Sequence, residues 1–342
     1  MTSLVNPTIL EVDTEFAGIA DELTRRGFLA GGLGSAALLG LAACGSSDSE
    51  SSTAPSGAGT RQVNTIHGKV DVPSDPKRVV AVSFIGTANL LDLGVTPVGG
   101  TTGGVEFLPD YKARLAAMPL VADSSGKVDL EAIAALHPDL IVGSDWASGS
   151  PALLPYTKLR EIAPTAVFEQ APSVGNWTDQ AHGYADAVNK IEALEPLRQK
   201  FLAVQERIRT TYADLLQTLR WEIINAGDDG WYRYSTSASH CKVLAGAGFR
   251  FTDAAAAQET AFAQLSNEQL GQLRPASAIG LGRSVNTSWD KSLTGQKLFQ
   301  RLPAVKNDHL TRLKWFFPSS YGTARALLTQ IEPILTTWNN AR

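Results

Sequence analysis

One apolar stripe constrains this chain more than any other feature. Leu194, Leu197, Phe201, Val204, Ile208, Tyr212 and Leu215 recur at steps of three and four residues, the spacing that aligns side chains along one face of an α-helix. Pro196 stands near the start of the stripe, where a helix tolerates proline because the first N–H groups have no intrahelical partner. The spacing predicts a single rod over 194–215, about 30 Å long at ~1.5 Å per residue. A rod of that length with one apolar face has to be covered by neighbouring structure.

The chain on either side supplies it. Before the stripe, short apolar runs at 79–82, 97–99, 140–142 and 166–168 read as buried strands, since parallel strands covered on both faces lose the polar alternation of exposed ones. Helical stretches lie between them: 87–93, stopped by Gly94; 129–136, stopped before Pro138; and 155–162, stopped before Pro164. After the stripe come a strand at 221–226, helices at 239–247 and 266–273, a strand at 278–281 and a closing helix at 323–338. The alternation predicts an α/β fold of two doubly wound three-layer lobes joined by one long bridging helix. The expected divisions are an N-terminal lobe over 61–190, the bridging helix over 191–218 and a C-terminal lobe over 219–342. In such lobes ligands gather in the loops that follow the strands.

The first sixty residues read differently. Arg25-Arg26, an apolar run over 28–43 and the ending Leu41-Ala42-Ala43-Cys44 resemble a twin-arginine export signal closed by a lipoprotein cleavage box. The apolar run is too short and too rich in glycine for the ~20 residues that a spanning helix needs. The expectation is a signal over 1–43, lipid on Cys44, and a flexible tether over 44–60, where Gly, Ser and Thr leave almost nothing to bury. The mature protein is then exported and held by lipid at the outer face of the cytoplasmic membrane. With Cys44 lipidated, Cys241 has no disulfide partner and the core alone must hold the fold. Removing 1–43 takes five acidic and two basic residues from totals of 34 and 30, leaving 29 and 28. A chain so nearly neutral is not expected to bind nucleic acid, and a monomer is expected.

Four segments carry a resemblance to a known family. Pro76-Lys77-Arg78-Val79-Val80-Ala81, the run from Leu90 to Val98, the run Val128 to Val142 with its His137-Pro138-Asp139 turn, and Leu302-Pro303-Ala304-Val305-Lys306-Asn307 resemble the iron-siderophore-type substrate-binding proteins of bacterial ABC importers. The likeness covers about 62–338. It implies two lobes on one helix, a ferric siderophore or related iron chelate as ligand, an ABC permease as partner, no cofactor and no catalysis. It also implies that an acid on each lobe meets the permease. Glu268, within Ser266-Asn267-Glu268-Gln269-Leu270, matches the C-lobe acid, whereas the N-lobe position is Ala88.

A chelate of that kind calls for aromatic walls and planar, permanently charged donors. Gly230-Trp231-Tyr232-Arg233-Tyr234-Ser235 reads as an aromatic loop after the first C-lobe strand, making Trp231, Tyr232, Arg233 and Tyr234 ligand candidates. Arg283 and Trp289 follow the 278–281 strand, and Ser144 and Trp146 follow the 140–142 strand. Phe107, Tyr111, Lys127 and Trp315 are weaker candidates. Haem or a cobalamin-type macrocycle would suit the same walls, and an envelope interaction protein could keep the fold without transport. A bare-metal carrier would need converging ligands, but His67, His137, His182, His240 and His309 are scattered. An enzyme would need a motif such as Gly-x-Ser-x-Gly or His-Glu-x-x-His, which the chain lacks.

Overall fold

The computed structural model describes residues 59–102, 108–122, 127–145, 154–170, 177–284, 286–314 and 317–342. The export signal, Cys44, the tether up to residue 58, and Phe107, Trp146 and Trp315 lie outside the described residues.

An antiparallel hairpin absent from the sequence expectation comes first, β1 (Thr60–Thr65) and β2 (Gly68–Pro73). The N-lobe follows as β3 (Val79–Ala81), α1 (Phe84–Asp92), β4 (Gly99–Gly100), α2 (Pro109–Leu115), α3 (Leu130–Ala135), β5 (Leu140–Asp145), α4 (Tyr156–Ile162), β6 (Thr165–Glu169) and α5 (Trp177–Ala187). Its sheet runs β4-β3-β5-β6, with every pairing parallel. Alternate residues feed opposite cores. Val79, Ala81, Leu140 and Val142 join α1 and α5 on one face, while Val80, Ile141 and Val167 pack on Ile133 and Leu159 on the other.

The Pro-Asp turn of the resemblance has a physical role. Asp139 accepts from the backbone N–H groups of Lys77 and Arg78 at 2.6 and 2.9 Å. The Arg78 guanidinium in turn donates to the carbonyls of Leu136 and His137, which a helix end leaves without partners. The start of β3 is thereby clamped to the end of α3. At the other end of α3, Asp129 caps it by accepting from Glu131 and Ala132, both at 3.0 Å.

The bridging helix α6 spans Leu194–Thr211 and buries Phe201, Val204 and Ile208. The continuous rod expected over 194–215 is interrupted at Tyr212 (φ −112°, ψ 21°), after which α7 (Ala213–Thr218) begins. Tyr212 keeps its apolar contact with Leu215 and Leu216, and its hydroxyl lies 2.6 Å from Thr336 Oγ1. Apolar spacing alone does not register such a break, because the stripe survives it.

The C-lobe comprises β7 (Trp221–Ala226), β8 (Gly230–Tyr234), α8 (Ser239–Gly246), α9 (Asp253–Ala257), β9 (Phe262–Ser266), β10 (Ala278–Gly282), α10 (Thr287–Gly295), α11 (Pro303–Lys306), β11 (Leu310–Leu313) and α12 (Tyr321–Asn340). Its sheet runs β11-β10-β7-β8-β9; the first three strands are parallel, and β8 and β9 are antiparallel to their neighbours. Asn267–Leu273, expected as part of an α-helix, is a 3-10 helix. α12 lies along α6, where Arg207 makes two hydrogen bonds to Glu332 at 2.8 and 2.7 Å. The protein is therefore two sheet-containing lobes connected by a long helix.

Candidate ligand-binding site

The segment expected as an aromatic loop is strand β8. Gly227-Asp228-Asp229-Gly230 makes a tight turn in which the Gly227 N–H donates to the Gly230 carbonyl at 3.0 Å, and β8 returns antiparallel beside β7. A side chain at Gly230 would overlap the Leu265 carbonyl oxygen of β9, so only glycine lets the two strands approach here. Gly-Asp-Asp-Gly between two β-prone runs is a hairpin signal, and it was available in the sequence.

Strand alternation then sends the four candidates to two interiors. Trp231 and Arg233 share one face. Trp231 is fully buried and its indole N–H donates to the Ser266 carbonyl at 3.0 Å. Arg233 is 5% exposed; its Nε is 3.1 Å from Glu222, its Nη1 is 2.9 Å from Gln272 Oε1, and its guanidinium lies 5.3 Å from the Trp231 ring centre. Glu222 also accepts from the Thr252 hydroxyl. Burial pushes its carboxyl up, while Thr252 and Arg233 oppose that shift. Tyr232 and Tyr234 face the other core. The Tyr234 hydroxyl donates to Asn225 at 3.0 Å, and its ring meets His240 and Phe317 edge-on. Trp289, on α10, packs half-buried in the same cluster as Trp231.

Other candidates do stand at strand ends. Ser144, near the end of β5, is buried and donates to Gln170 Oε1 at 3.2 Å. Gln170 directly follows β6, and its N–H donates to the Asp145 carbonyl at 2.7 Å. Tyr184 of α5 reaches the same place, 3.3 Å from Ser83 and hydrogen-bonded to Ser144, with burial pushing its hydroxyl well up. Thr101, just after β4, is 4% exposed and its hydroxyl has no hydrogen-bond partner among the described residues. Across the molecule, Arg283 directly follows β10, half-buried, its N–H donating to Leu313. Ser284 bonds both the N–H and the carbonyl of Ala226, tying the end of β10 to the end of β7. Sequence reasoning missed Ser83, Thr101, Gln170 and Tyr184; the first three are polar residues one or two positions beyond short apolar runs, a signal it could have used.

Of the weaker candidates, Tyr111 commits its hydroxyl to Asp92, and Lys127 is exposed. Glu268 is exposed in the first turn of the 3-10 helix, where a hydrogen bond from Ser266 and its own N–H hold its carboxyl below the usual range. Ala88 is fully buried inside α1, so this position presents no surface on which an acid could meet a partner. Among the described residues, no group of three or more His, Cys, Asp or Glu side chains could hold a metal ion. His240 is buried and its pKa falls to about 3 through loss of solvation. Cys241 is buried beside it, its thiol pushed up by burial.

Two α/β lobes on a connecting helix, with polar side chains at the ends of parallel strands, define a solute-binding architecture. The chain belongs to the periplasmic binding protein family, which residues 79–315 match. It is 36% identical over 162 residues to "Probable siderophore-binding lipoprotein YfiY" of Bacillus subtilis (strain 168), a match covering 46% of this chain and 47% of that protein. It is 25% identical over 281 residues to the Fe(3+)-citrate-binding protein YfmC of the same organism, covering 79% of this chain and 84% of the other. Among solved structures, the siderophore periplasmic binding protein from the fuscachelin gene cluster of Thermobifida fusca superposes with a TM-score of 0.65 at 28% identity, covering 78% of this chain and 98% of that one. Among the described residues no helix is long and apolar enough to cross a membrane.

Proposed function

We propose that this protein captures a ferric siderophore-type chelate outside the cytoplasmic membrane and delivers it to an ABC permease. The observation that carries this reading is the likeness to the Thermobifida fusca siderophore-binding protein over nearly the whole of that chain. The ligand contacts fall at the strand ends of both lobes. Ser83 and Thr101 supply hydroxyl groups from the N-lobe, with buried Ser144 ordering the end of β5 behind them. Trp146 supplies an aromatic wall, and Arg283 supplies a charged fork to the chelate's oxygens from the C-lobe. Trp231, Tyr232, Arg233, Tyr234 and Trp289 support the C-lobe site from behind. The iron is cargo, held by the chelator rather than by protein ligands. Glu268 is the C-lobe contact for the permease. Lipid on Cys44 and the tether over 44–60 keep the protein at the membrane, as the lipoprotein name of YfiY supports.

Intrinsic tryptophan fluorescence, titrated with ferric hydroxamate, catecholate and citrate chelates and with haem and cobalamin, tests the ligand class. Saturable quenching by a ferric chelate is the expected result. Quenching by haem or cobalamin alone would replace the siderophore with a macrocycle. Arg283→Ala should weaken chelate binding about tenfold or more, the loss of one charge-assisted hydrogen bond. Separately, Cys44→Ala should release folded protein from the membrane fraction, and recovery of unmodified Cys44 on a chain retaining 1–43 would remove the anchor from this reading.

A further inference from the structure

The lobes meet at a second place besides α6. Asp92, the last residue of α1 in the N-lobe, accepts through Oδ2 from the Gly322 N–H of α12 at 2.6 Å and through Oδ1 from the Tyr111 hydroxyl of α2. A helix start leaves its first N–H groups without internal partners and carries positive partial charge. Ser320 caps one of them from within the C-lobe, by accepting from Thr323, but Gly322 is capped by a carboxylate of the other lobe. One turn back on α1, buried Asn89 donates to the Ser319 carbonyl at 2.9 Å, fastening the residue before that cap as well. Arg325 reaches Asp110 of α2 at 3.2 Å. An aromatic joint closes the same place, with Trp177 of α5 against Phe201 of α6 at 5.7 Å and against Tyr321 of α12 at 5.0 Å between ring centres.

Gly322 fits this place because it has no side chain. A methyl group there would overlap both the Tyr111 hydroxyl and the Asp92 carboxylate. The groups facing Asp92 are the Tyr111 hydroxyl, the Gly322 N–H, the Ser320 side chain and, at longer range, the Arg325 charge. They come from both lobes, so parting the lobes here would strip the carboxylate of its C-lobe donors and leave the start of α12 uncapped.

We propose that Asp92 and Gly322 form a socket and plug that joins the two lobes, so that they fluctuate as one unit rather than swinging on α6 alone. The joint is independent of the ligand and does not rest on its identity. Local opening of coupled units is read by amide hydrogen exchange, measured by mass spectrometry on the full chain without added ligand. Asp92→Ala breaks the joint from the N-lobe side, since it removes both accepting oxygens. Gly322→Ala breaks it from the C-lobe side by overlap. Each should speed exchange about tenfold or more in both 84–92 and 321–328, leaving β7 and β10 as protected as before. Acceleration confined to the lobe that carries the substitution, or none at all, overturns the proposal and leaves Asp92 as a local cap. Should either variant fail to fold, Tyr111→Phe, which removes only one hydroxyl, should show the same two-sided pattern more weakly, and a one-sided or absent response there is equally decisive.

Discussion

The main sheets of the two lobes are built from similar apolar runs and differ in one turn. In the N-lobe each strand is followed by a crossover, so β4-β3-β5-β6 stays parallel and its ends carry Thr101, Ser144 and Gln170. In the C-lobe β7 is followed by three residues, 227–229, that reverse the chain, so β8 and β9 run antiparallel and bring Trp231, Arg233 and Tyr234 into the sheet. Polar and aromatic residues that follow a strand therefore mean different things in the two lobes. After a crossover they stand at the edge of the sheet where a ligand can come; after a hairpin they become the sheet.

The sharpest way to break this contrast is Arg233. As part of β8 it neutralises a fully buried Glu222, and removing one partner of a buried pair costs about 3–5 kcal/mol because the other is left without its counter-charge. Arg233→Ala should lower the midpoint of chemical denaturation strongly, whereas Arg160→Ala on the exposed face of α4 should leave it where it is. An Arg233→Ala variant that keeps its full stability and loses only chelate binding would return the segment to the role of a ligand loop.

Acidification should separate the lobes next. His240 is buried against Tyr234 and Phe317 and stays neutral in the fold until about pH 3, whereas in the unfolded chain a histidine protonates near 6.5. The stability its neutral form provides is fully present above about pH 6.5 and is lost as the pH falls toward 3, because the unfolded chain binds the proton first. The slope is about 1.4 kcal/mol per pH unit. His240→Phe should flatten the dependence of stability on pH in that window. His67 of the N-lobe is shifted in the same direction by burial, with Asp145 opposing it, so His67→Phe should change the slope less. An equal change in both variants would mean that the C-lobe owes its acid sensitivity to other groups.

The same contrast explains what the sequence revealed. β3, β5, β6 and the start of β10 were legible because burial on both faces leaves a nearly uninterrupted apolar run, as in Leu140-Ile141-Val142. β7 showed through Ile223-Ile224 although Glu222 and Asn225 interrupt it. β4 only overlaps the expected 97–99 run, and β11 was missed because Thr311 and Arg312 break its apolar run. α3 was legible through its cap and its Pro-Asp stop. β8 was misread because a strand that carries Tyr, Arg and Tyr on its two covered faces has no apolar run, and its partners for charge, Glu222 and Gln272, are distant in sequence. The break in the bridging rod at Tyr212 was hidden because the apolar spacing continues through it. Among the candidate site residues, Ser144, expected just after its strand, is the last residue but one of β5, whereas the place of Arg283 after β10 was legible. Tyr184 was not, because it arrives from α5, a helix of mostly weak apolar pattern.

Glycines offer a finer test of the two sheets. A methyl group at Gly143 of β5 would sit 2.7 Å from Val82 Cγ2 and 2.8 Å from Leu154 Cδ1, and both are side-chain ends that can shift. At Gly230 the obstacle is the backbone carbonyl of Leu265, which is held in the ladder. Gly230→Ala should therefore cost about 2–3 kcal/mol, at the upper end of the range for overpacking, and Gly143→Ala about 1 kcal/mol. Thermal denaturation of the two variants side by side checks the order. If Gly143→Ala proved the costlier, the close approach of β8 and β9 would not be what confines residue 230 to glycine.

A small effect on the fold is expected at Ser144, and it bears on the site. Its hydroxyl donates to Gln170, so Ser144→Ala takes that donor from Gln170 Oε1 while Tyr184 keeps Ser83. One neutral hydrogen bond is worth about 1 kcal/mol, and Tyr184 keeps a partner, so the melting temperature should fall only slightly. Chelate affinity should fall more than that loss of stability explains if the network orders the end of β5 for the ligand. Because Ser144 is buried, the effect would reach the ligand through the strand end, and Ser144→Thr, which restores a hydroxyl, should recover part of the affinity. Equal affinities for wild type, Ser144→Ala and Ser144→Thr would make the network a brace of the N-lobe core and move the ligand's N-lobe contacts to residues after β4 and β6.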